Sequence, residues 1–177
     1  MLKLLNTLNI KNQKGFSLIE MMVVVVILGL IVLGLVTFFT GGTKSWVAGQ
    51  SQLSAQRNAR QAMDRMVREI REGEKLLSDS DGDTIKVKFP SSFAKNDVTY
   101  DWSGTVNDPI NRIVNGNSSP LINNVQSFTL TYFDSSGNLI VPESASKVHI
   151  DLKVDVDKDS KPDITLNSDI NLRNFGL

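Results

Sequence analysis

Between Glu20 and Lys44 lie 23 residues without a charge, most of them Val, Ile, Leu, Met, Phe or Gly. A helix that spans a bilayer needs about 20 such residues, so this run decides where the first third of the chain can reside. Ahead of it, residues 1–15 hold Lys3, Lys11 and Lys14 and no acid. Basic residues on that flank predict that the N-terminal end stays cytoplasmic and the rest lies outside. An ordinary secretory signal has a shorter apolar region, about 7–15 residues, closed by a small-x-small cleavage site. Thr40-Gly41-Gly42-Thr43 makes a poor site of that kind. A plain signal anchor, one span tethering whatever follows, is the simplest alternative.

Composition narrows the chemistry. The 19 Lys and Arg balance 19 Asp and Glu, which argues against a polybasic nucleic-acid binder. With no Cys there is no disulfide framework, no Cys zinc site and no Cys nucleophile. With a single His, His149, a multi-His metal site is excluded and a Ser-His-Asp triad has one candidate base. His149 falls on the polar side of a predicted strand, as a surface residue would. No nucleophile–base–orienter set is visible, so the reading is non-enzymatic.

Glu20 is the feature that a plain anchor does not need. A carboxylate within an apolar span is costly and reads as functional, although near the start of the run it can snorkel to the interface. Its context is the string Lys14-Gly15-Phe16-Ser17-Leu18-Ile19-Glu20. This string resembles the processing site of type IV pilins and type II secretion pseudopilins. In that family a short basic leader ends in Gly, the next residue is often Phe, and a Glu is the fifth residue of the mature chain. The resemblance implies that a prepilin peptidase cuts after Gly15 and that the new amine of Phe16 is N-methylated. It further implies that Glu20 meets the amine of a neighbouring subunit in a filament, which sets the axial register between copies. A Gly before the scissile bond has no Cβ, so its backbone can enter a protease cleft closely. An ammonium and a carboxylate in low dielectric are each expensive alone and much less so together. Removal of the leader leaves 16 basic against 19 acidic residues, a net charge of −3.

Beyond the span, the apolar run has no proline to kink it, and Gly41-Gly42 is a candidate joint. From about Trp46 to Leu77 an amphipathic pattern follows, with Leu53, Gln56, Ala59, Met63, Met66 and Ile70 at three- or four-residue spacing. The other face holds Arg57, Arg60, Asp64, Arg65, Arg68, Glu69, Arg71 and Glu72, with Asp64–Arg68 and Arg65–Glu69 as i,i+4 pairs. Such a face is a solvated surface or a contact surface on which Arg57, Arg60 and Arg68 pair with acids of a neighbour.

The last hundred residues alternate as strands do. Ile85-Val87-Phe89, Val98-Tyr100-Trp102, Phe128-Leu130-Tyr132 and Val148 to Val156 have period two. Ile110 to Val114 ends in Asn115-Gly116, a hairpin signal, and Ile164 to Leu172 forms the last run. The fold class expected is α+β, a long N-terminal helix packed on one antiparallel sheet. The expected divisions are a leader 1–15, a transmembrane and assembly helix 16–43, an amphipathic half 44–77 and a β-rich head 78–177. In the head, Asp155, Asp157, Asp159 and Asp163 lie at oxygen-ligand spacing for calcium, but the Gly and the bidentate Glu of an EF-hand are missing. Asp79, Asp81 and Asp83 form a shorter cluster of the same kind. No other cofactor is expected.

Taken together, these features predict a structural minor pilin or pseudopilin of a type IV pilus or type II secretion system. It would be stored in the inner membrane with its head outside. Its partners would be the prepilin peptidase and methyltransferase, other pilin or pseudopilin subunits and an inner-membrane assembly platform. The Arg-studded helix and the closing Asn171-Leu172-Arg173-Asn174 loosely resemble the PilW and GspJ group. The rival readings are a tip adhesin or DNA-uptake component on the same stalk, for which Trp102 and Lys95 are the only hints, and a plain membrane-anchored binding domain.

Overall fold

The computed structural model describes residues 15–175, so the leader lysines Lys3, Lys11 and Lys14 lie outside the described residues. The chain divides into two compact units at Val47/Ala48. The first unit is helical. Helix α1 begins at Leu18 and ends at Glu72, and every residue from Gly15 to Ser54 is exposed. Gly41-Gly42 lies within the helix rather than at a joint. Around it the hydroxyls of Thr37, Thr40 and Thr43 donate to carbonyls three and four residues back, at 2.9–3.1 Å. Each Thr thereby satisfies its own polar group inside an apolar helix, as an apolar environment requires. The helix is long and apolar enough to cross a membrane, with none of the apolar window buried.

The second unit contains the end of α1 and eight strands. These are β1 (Lys75–Leu76), β2 (Thr84–Lys88), β3 (Val98–Trp102), β4 (Ile110–Val114), β5 (Asn117–Ile122), β6 (Val125–Phe133), β7 (Lys147–Val154) and β8 (Ile164–Asn171). The fold class is α+β as expected, but the strands form two antiparallel sheets rather than one, in orders β1-β2-β3-β4-β5 and β6-β7-β8. The split falls at Asn123-Asn124. Asn124 takes a left-handed conformation (φ 57°), so the chain leaves the first sheet instead of closing another hairpin. The Val125 N–H then bonds to Asp108 and the Val125 carbonyl accepts from Asn107. By contrast, Asn115 and Gly116 both have positive φ, 51° and 76°, which is the geometry a two-residue hairpin turn demands.

One continuous core joins the helix to both sheets. Ala59, Ala62, Met63, Met66 and Ile70 pack with Ile85, Val87, Tyr100 and Ile110 of the first sheet, and with Phe128, Ile150, Leu152 and Ile170 of the second. The buried stripe therefore differs from the expected one at its start. Leu53 is 62 % exposed and Gln56 is exposed, because the two successive three-residue steps back from Ala59 each fall short of a full helical turn and rotate these positions off the stripe that alternating steps of four and three hold through Met63, Met66 and Ile70. The helix also ends at Glu72, short of Leu77. Gly73 stops it: a Cβ there would lie 2.5 Å from Val87 Cγ1, and Val87 is fully buried. The Glu74 N–H turns to the Lys88 carbonyl, and Leu76 enters the sheet opposite Val87.

Candidate functional site

The candidate site at the N-terminus is built from Gly15, Phe16, Ser17 and Glu20. Among the described residues a Cβ on Gly15 would meet nothing within 4 Å, and Phe16 is 82 % exposed. The Ser17 carbonyl accepts from the Met21 N–H at 3.2 Å, which starts the helix. The Glu20 carboxylate reaches back and accepts the Ser17 N–H at 2.9 Å. Ser17 and Glu20 thus form the acceptor half of a capping box, in which a Glu three residues into the helix satisfies a free backbone donor. Its negative charge also sits at the favourable end of the helix dipole. The Ser-x-x-Glu spacing is legible in the sequence, but reading Glu20 only as an unsatisfied charge passes over it. Phe16 and the residues that follow it on α1 present an apolar surface that no other described residue covers, and such a surface is filled by lipid or by other helices.

The head supplies a second group of candidates, the β7–β8 loop. The carboxylates of Asp155, Asp157 and Asp159 come within 4.8 Å of one another. Asp163, the fourth predicted ligand, is turned elsewhere and accepts from the Val156 N–H (2.7 Å) and from Gln52 Nε2 (3.3 Å). Each of the other three already holds a backbone donor. Asp155, almost fully buried, accepts from Lys158 and Ser160, Asp157 from Asp159, and Asp159 from Lys161. Asp157 titrates above the usual carboxylate range. The Asp159 N–H bond is the largest single influence and lowers it, but desolvation and repulsion from Asp159, Asp163 and Asp155 outweigh that bond. Three carboxylates are part of the six to eight oxygens that Ca²⁺ takes. Asp79, Asp81 and Asp83 do not converge: Asp79 pairs with Lys86 at 2.5 Å, and Asp81 accepts the Asp83 and Thr84 N–H groups.

Other side chains singled out in the sequence have local partners. His149 Nδ1 and Asp169 Oδ1 are 2.7 Å apart on the outer face of β7 and β8, with Lys147 on the same carboxylate at 3.1 Å. Trp102 is buried, while Lys95 pairs with Glu72 and lies over the Phe89 ring. The two residues that hinted at a ligand surface therefore form no exposed aromatic and basic patch. A groove beside α1 is lined by Ser51, Ser54, Asn58, Gln61 and Asn124, with Arg65 its one charged residue, so it holds no acid–base set.

Around Glu69 the expected pair with Arg65 is extended by partners from the sheet that no local sequence pattern marks. Glu69, on α1, receives Arg112 Nε and Nη2 of β4 at 3.0 Å each, the Tyr100 hydroxyl of β3 at 2.5 Å and Arg65 Nε at 3.3 Å. Burial is the largest influence on Glu69 and opposes its charge, but the Arg112 and Tyr100 bonds, the Arg112 charge and the Arg65 bond outweigh it and lower its pKa. Burial and the Glu69 charge push the Tyr100 phenol far up. Of the two helix pairs expected, Arg65–Glu69 forms, and Asp64–Arg68 is not among the ion pairs of the described residues. The cluster clamps helix to sheet and is structural.

Comparison with known proteins bears on the N-terminus alone. Residues 10–36 match the family model of the prokaryotic N-terminal methylation motif. No curated protein matches the chain. The matched segment contains Gly15, Phe16 and Glu20 and the first part of α1. That motif is the signature of type IV pilins and pseudopilins, and this chain carries it at its N-terminus, ahead of an α+β head.

Proposed function

We propose that the chain is a structural subunit, a minor pilin or a pseudopilin, that is assembled into a type IV pilus or a type II secretion pseudopilus. A prepilin peptidase cuts it after Gly15, and the Phe16 amine is methylated. The apolar part of α1 holds the subunit in the inner membrane until it passes, through an assembly platform, into a filament. In the filament Glu20 pairs with the Phe16 amine of an adjoining copy. The observation that carries this reading is the methylation motif at residues 10–36, which supports a pilin-like or pseudopilin precursor. It coincides with an exposed apolar helix and a carboxylate in that helix's first turn.

The chemistry of each position supports its role. Among the described residues nothing lies within 4 Å of a Cβ placed on Gly15. Cutting there removes three lysines and leaves one ammonium at the top of the helix. Four residues separate Phe16 from Glu20, about 6 Å along a helix, so a short slide between parallel copies brings one copy's carboxylate to the next copy's amine. Mass spectrometry of the membrane-extracted protein tests the reading. A chain beginning at N-methylated Phe16 is expected, and an intact chain beginning at Met1 would leave a plain membrane anchor.

A further inference from the structure

The charges of the second unit are sorted by side. Residues 57–71 hold five arginines against Asp64 and Glu69, a net charge of +3, while residues 72–177 hold ten Lys and Arg against sixteen acids, a net charge of −6. On α1, Arg57, Arg60, Asp64, Arg68 and Arg71 follow at spacings of three and four, and all are exposed. They form a ridge on the side of the helix opposite Ala59, Met63, Met66 and Ile70. None of these four arginines is in an ion pair among the described residues.

The β7–β8 loop is the densest acidic segment, with four Asp against Lys158 and Lys161. Its Asp157 and Asp159 are exposed, and neither is in an ion pair among the described residues. The loop is tied to the helix through Gln52 and Asp163. Gln52 precedes Ala59, Met63, Met66 and Ile70 by seven, eleven, fourteen and eighteen residues, so it belongs to the core-facing stripe. Ridge and loop therefore lie on opposite sides of the head.

We propose that the Arg57–Arg71 ridge is the docking surface for the Asp155–Asp163 loop of a second copy of this chain. The proposal rests on the filament reading given above, in the form in which copies of this chain adjoin one another. Two copies related by a two-fold axis would set ridge against ridge, arginine on arginine. The favourable contact is heterologous: each copy gives its ridge to one neighbour and its loop to another, and such contacts generate open arrays unless the rotation closes. The register follows from the helix. The loop sits at the level of Gln52, and the ridge starts at Arg57, five residues or about 8 Å further along. Arg57 and Arg60 thus meet the neighbour's loop first. Exposed ion pairs contribute orientation and specificity more than affinity. A polyanion is a poorer occupant, because the mature chain is acidic overall and acidic loops repel phosphates.

The absence of cysteine makes the test clean: every disulfide formed is an engineered one. Full-length R60C and D157C copies, co-expressed, are expected to cross-link to one another at least tenfold more than either does to itself. Reversing the ridge (Arg57→Glu, Arg60→Glu, Arg68→Glu) is expected to lower filament incorporation roughly tenfold, and adding Asp157→Lys with Asp159→Lys to restore it. Predominant R60C–R60C cross-links, or wild-type incorporation of the reversed ridge, would overturn the proposal. So would loss of heparin binding by the reversed ridge with no rescue by the reversed loop, which assigns the ridge to a polyanion. The state of Phe16, measured on the same samples, separates the two levels. An unprocessed chain removes the filament reading and this proposal with it. A processed chain that enters filaments without the R60C–D157C cross-link removes this proposal alone.

Discussion

Replacing Arg112 by Met tests how the head is held to its helix. Arg112 and Glu69 side chains are 19 % and 16 % exposed and meet through two bonds of 3.0 Å. Removing one partner of a well-buried pair costs about 3–5 kcal/mol. Here Tyr100 and Arg65 still serve the carboxylate and some solvent reaches it, so about 2–3 kcal/mol at pH 7 is expected. For a unit of this size that is a fall in Tm of about 8–12 °C. Near-UV circular dichroism of the full chain in detergent, with the buried Tyr100 and Trp102 as reporters, reads the transition. The pH dependence fixes the cause. The folded pKa of Glu69 is depressed, so its stabilisation is present above the unfolded value near 4.5 and is lost as pH falls through the folded pKa. In the variant, burial opposes the charge with less to offset it, and the folded pKa moves up. The gap between variant and wild type therefore narrows between pH 7 and pH 4. Glu69→Met in the Arg112→Met background should recover part of the loss, because an apolar pair leaves no stranded charge. A single-variant cost below about 0.5 kcal/mol, or one that does not change with pH, would refute the clamp.

Gly73→Ala places a methyl 2.5 Å from Val87 Cγ1. Since Val87 is fully enclosed, a cost of about 1–3 kcal/mol is expected by denaturant melting, relieved by Val87→Ala in the same chain. Calcium removal by EDTA is expected to leave the melting temperature of the head unchanged, because each carboxylate of the β7–β8 loop already holds a backbone donor. A drop of several degrees would place the ion in the loop. Asp157→Asn keeps an acceptor for the Asp159 N–H and removes the repulsion that raises the Asp157 pKa. A group so raised costs more stability as pH rises through its folded pKa, so the variant should gain stability relative to wild type between about pH 4 and pH 7, read by the same melts.

What the sequence shows is what repeats locally. The apolar run becomes the start of α1, period-two alternation becomes β2, β3, β6, β7 and β8, and Asn115-Gly116 becomes a turn with both φ values positive. What it hides depends on partners far along the chain. Glu69 and Arg112 are 43 residues apart, and nothing local marks either as the other's partner. The step from the first sheet to the second passes through Asn124 in a left-handed conformation, which an Asn permits but does not compel. Glu74 to Leu77 are acceptable helix residues, yet pairing of Lys75 and Leu76 with Lys88 and Val87 takes them into a strand. Leu53 fits a three-residue step from Gln56 but falls on the arginine side of the helix once Ala59 and Met63 define the core.

The Ser17–Glu20 contact sharpens what Glu20 is for. Within one copy the carboxylate has a partner, the Ser17 N–H at 2.9 Å, so it is not a bare charge awaiting a neighbour. A capping interaction of this kind is worth about 0.5–2 kcal/mol. The Ser17 N–H occupies one carboxylate oxygen, and under the proposed pairing an ammonium would bring the other a full opposite charge in a medium of low dielectric, which a neutral N–H does not supply. Two substitutions separate the roles. Glu20→Gln keeps an acceptor for Ser17, since capping boxes take either residue, but removes the charge. Glu20→Val removes both. If the charge carries assembly, both variants are processed and inserted into the membrane, and both fail to enter filaments. If the helix start is what matters, Gln assembles like wild type and Val does not, and the pairing of Glu20 with a neighbouring Phe16 amine is then wrong.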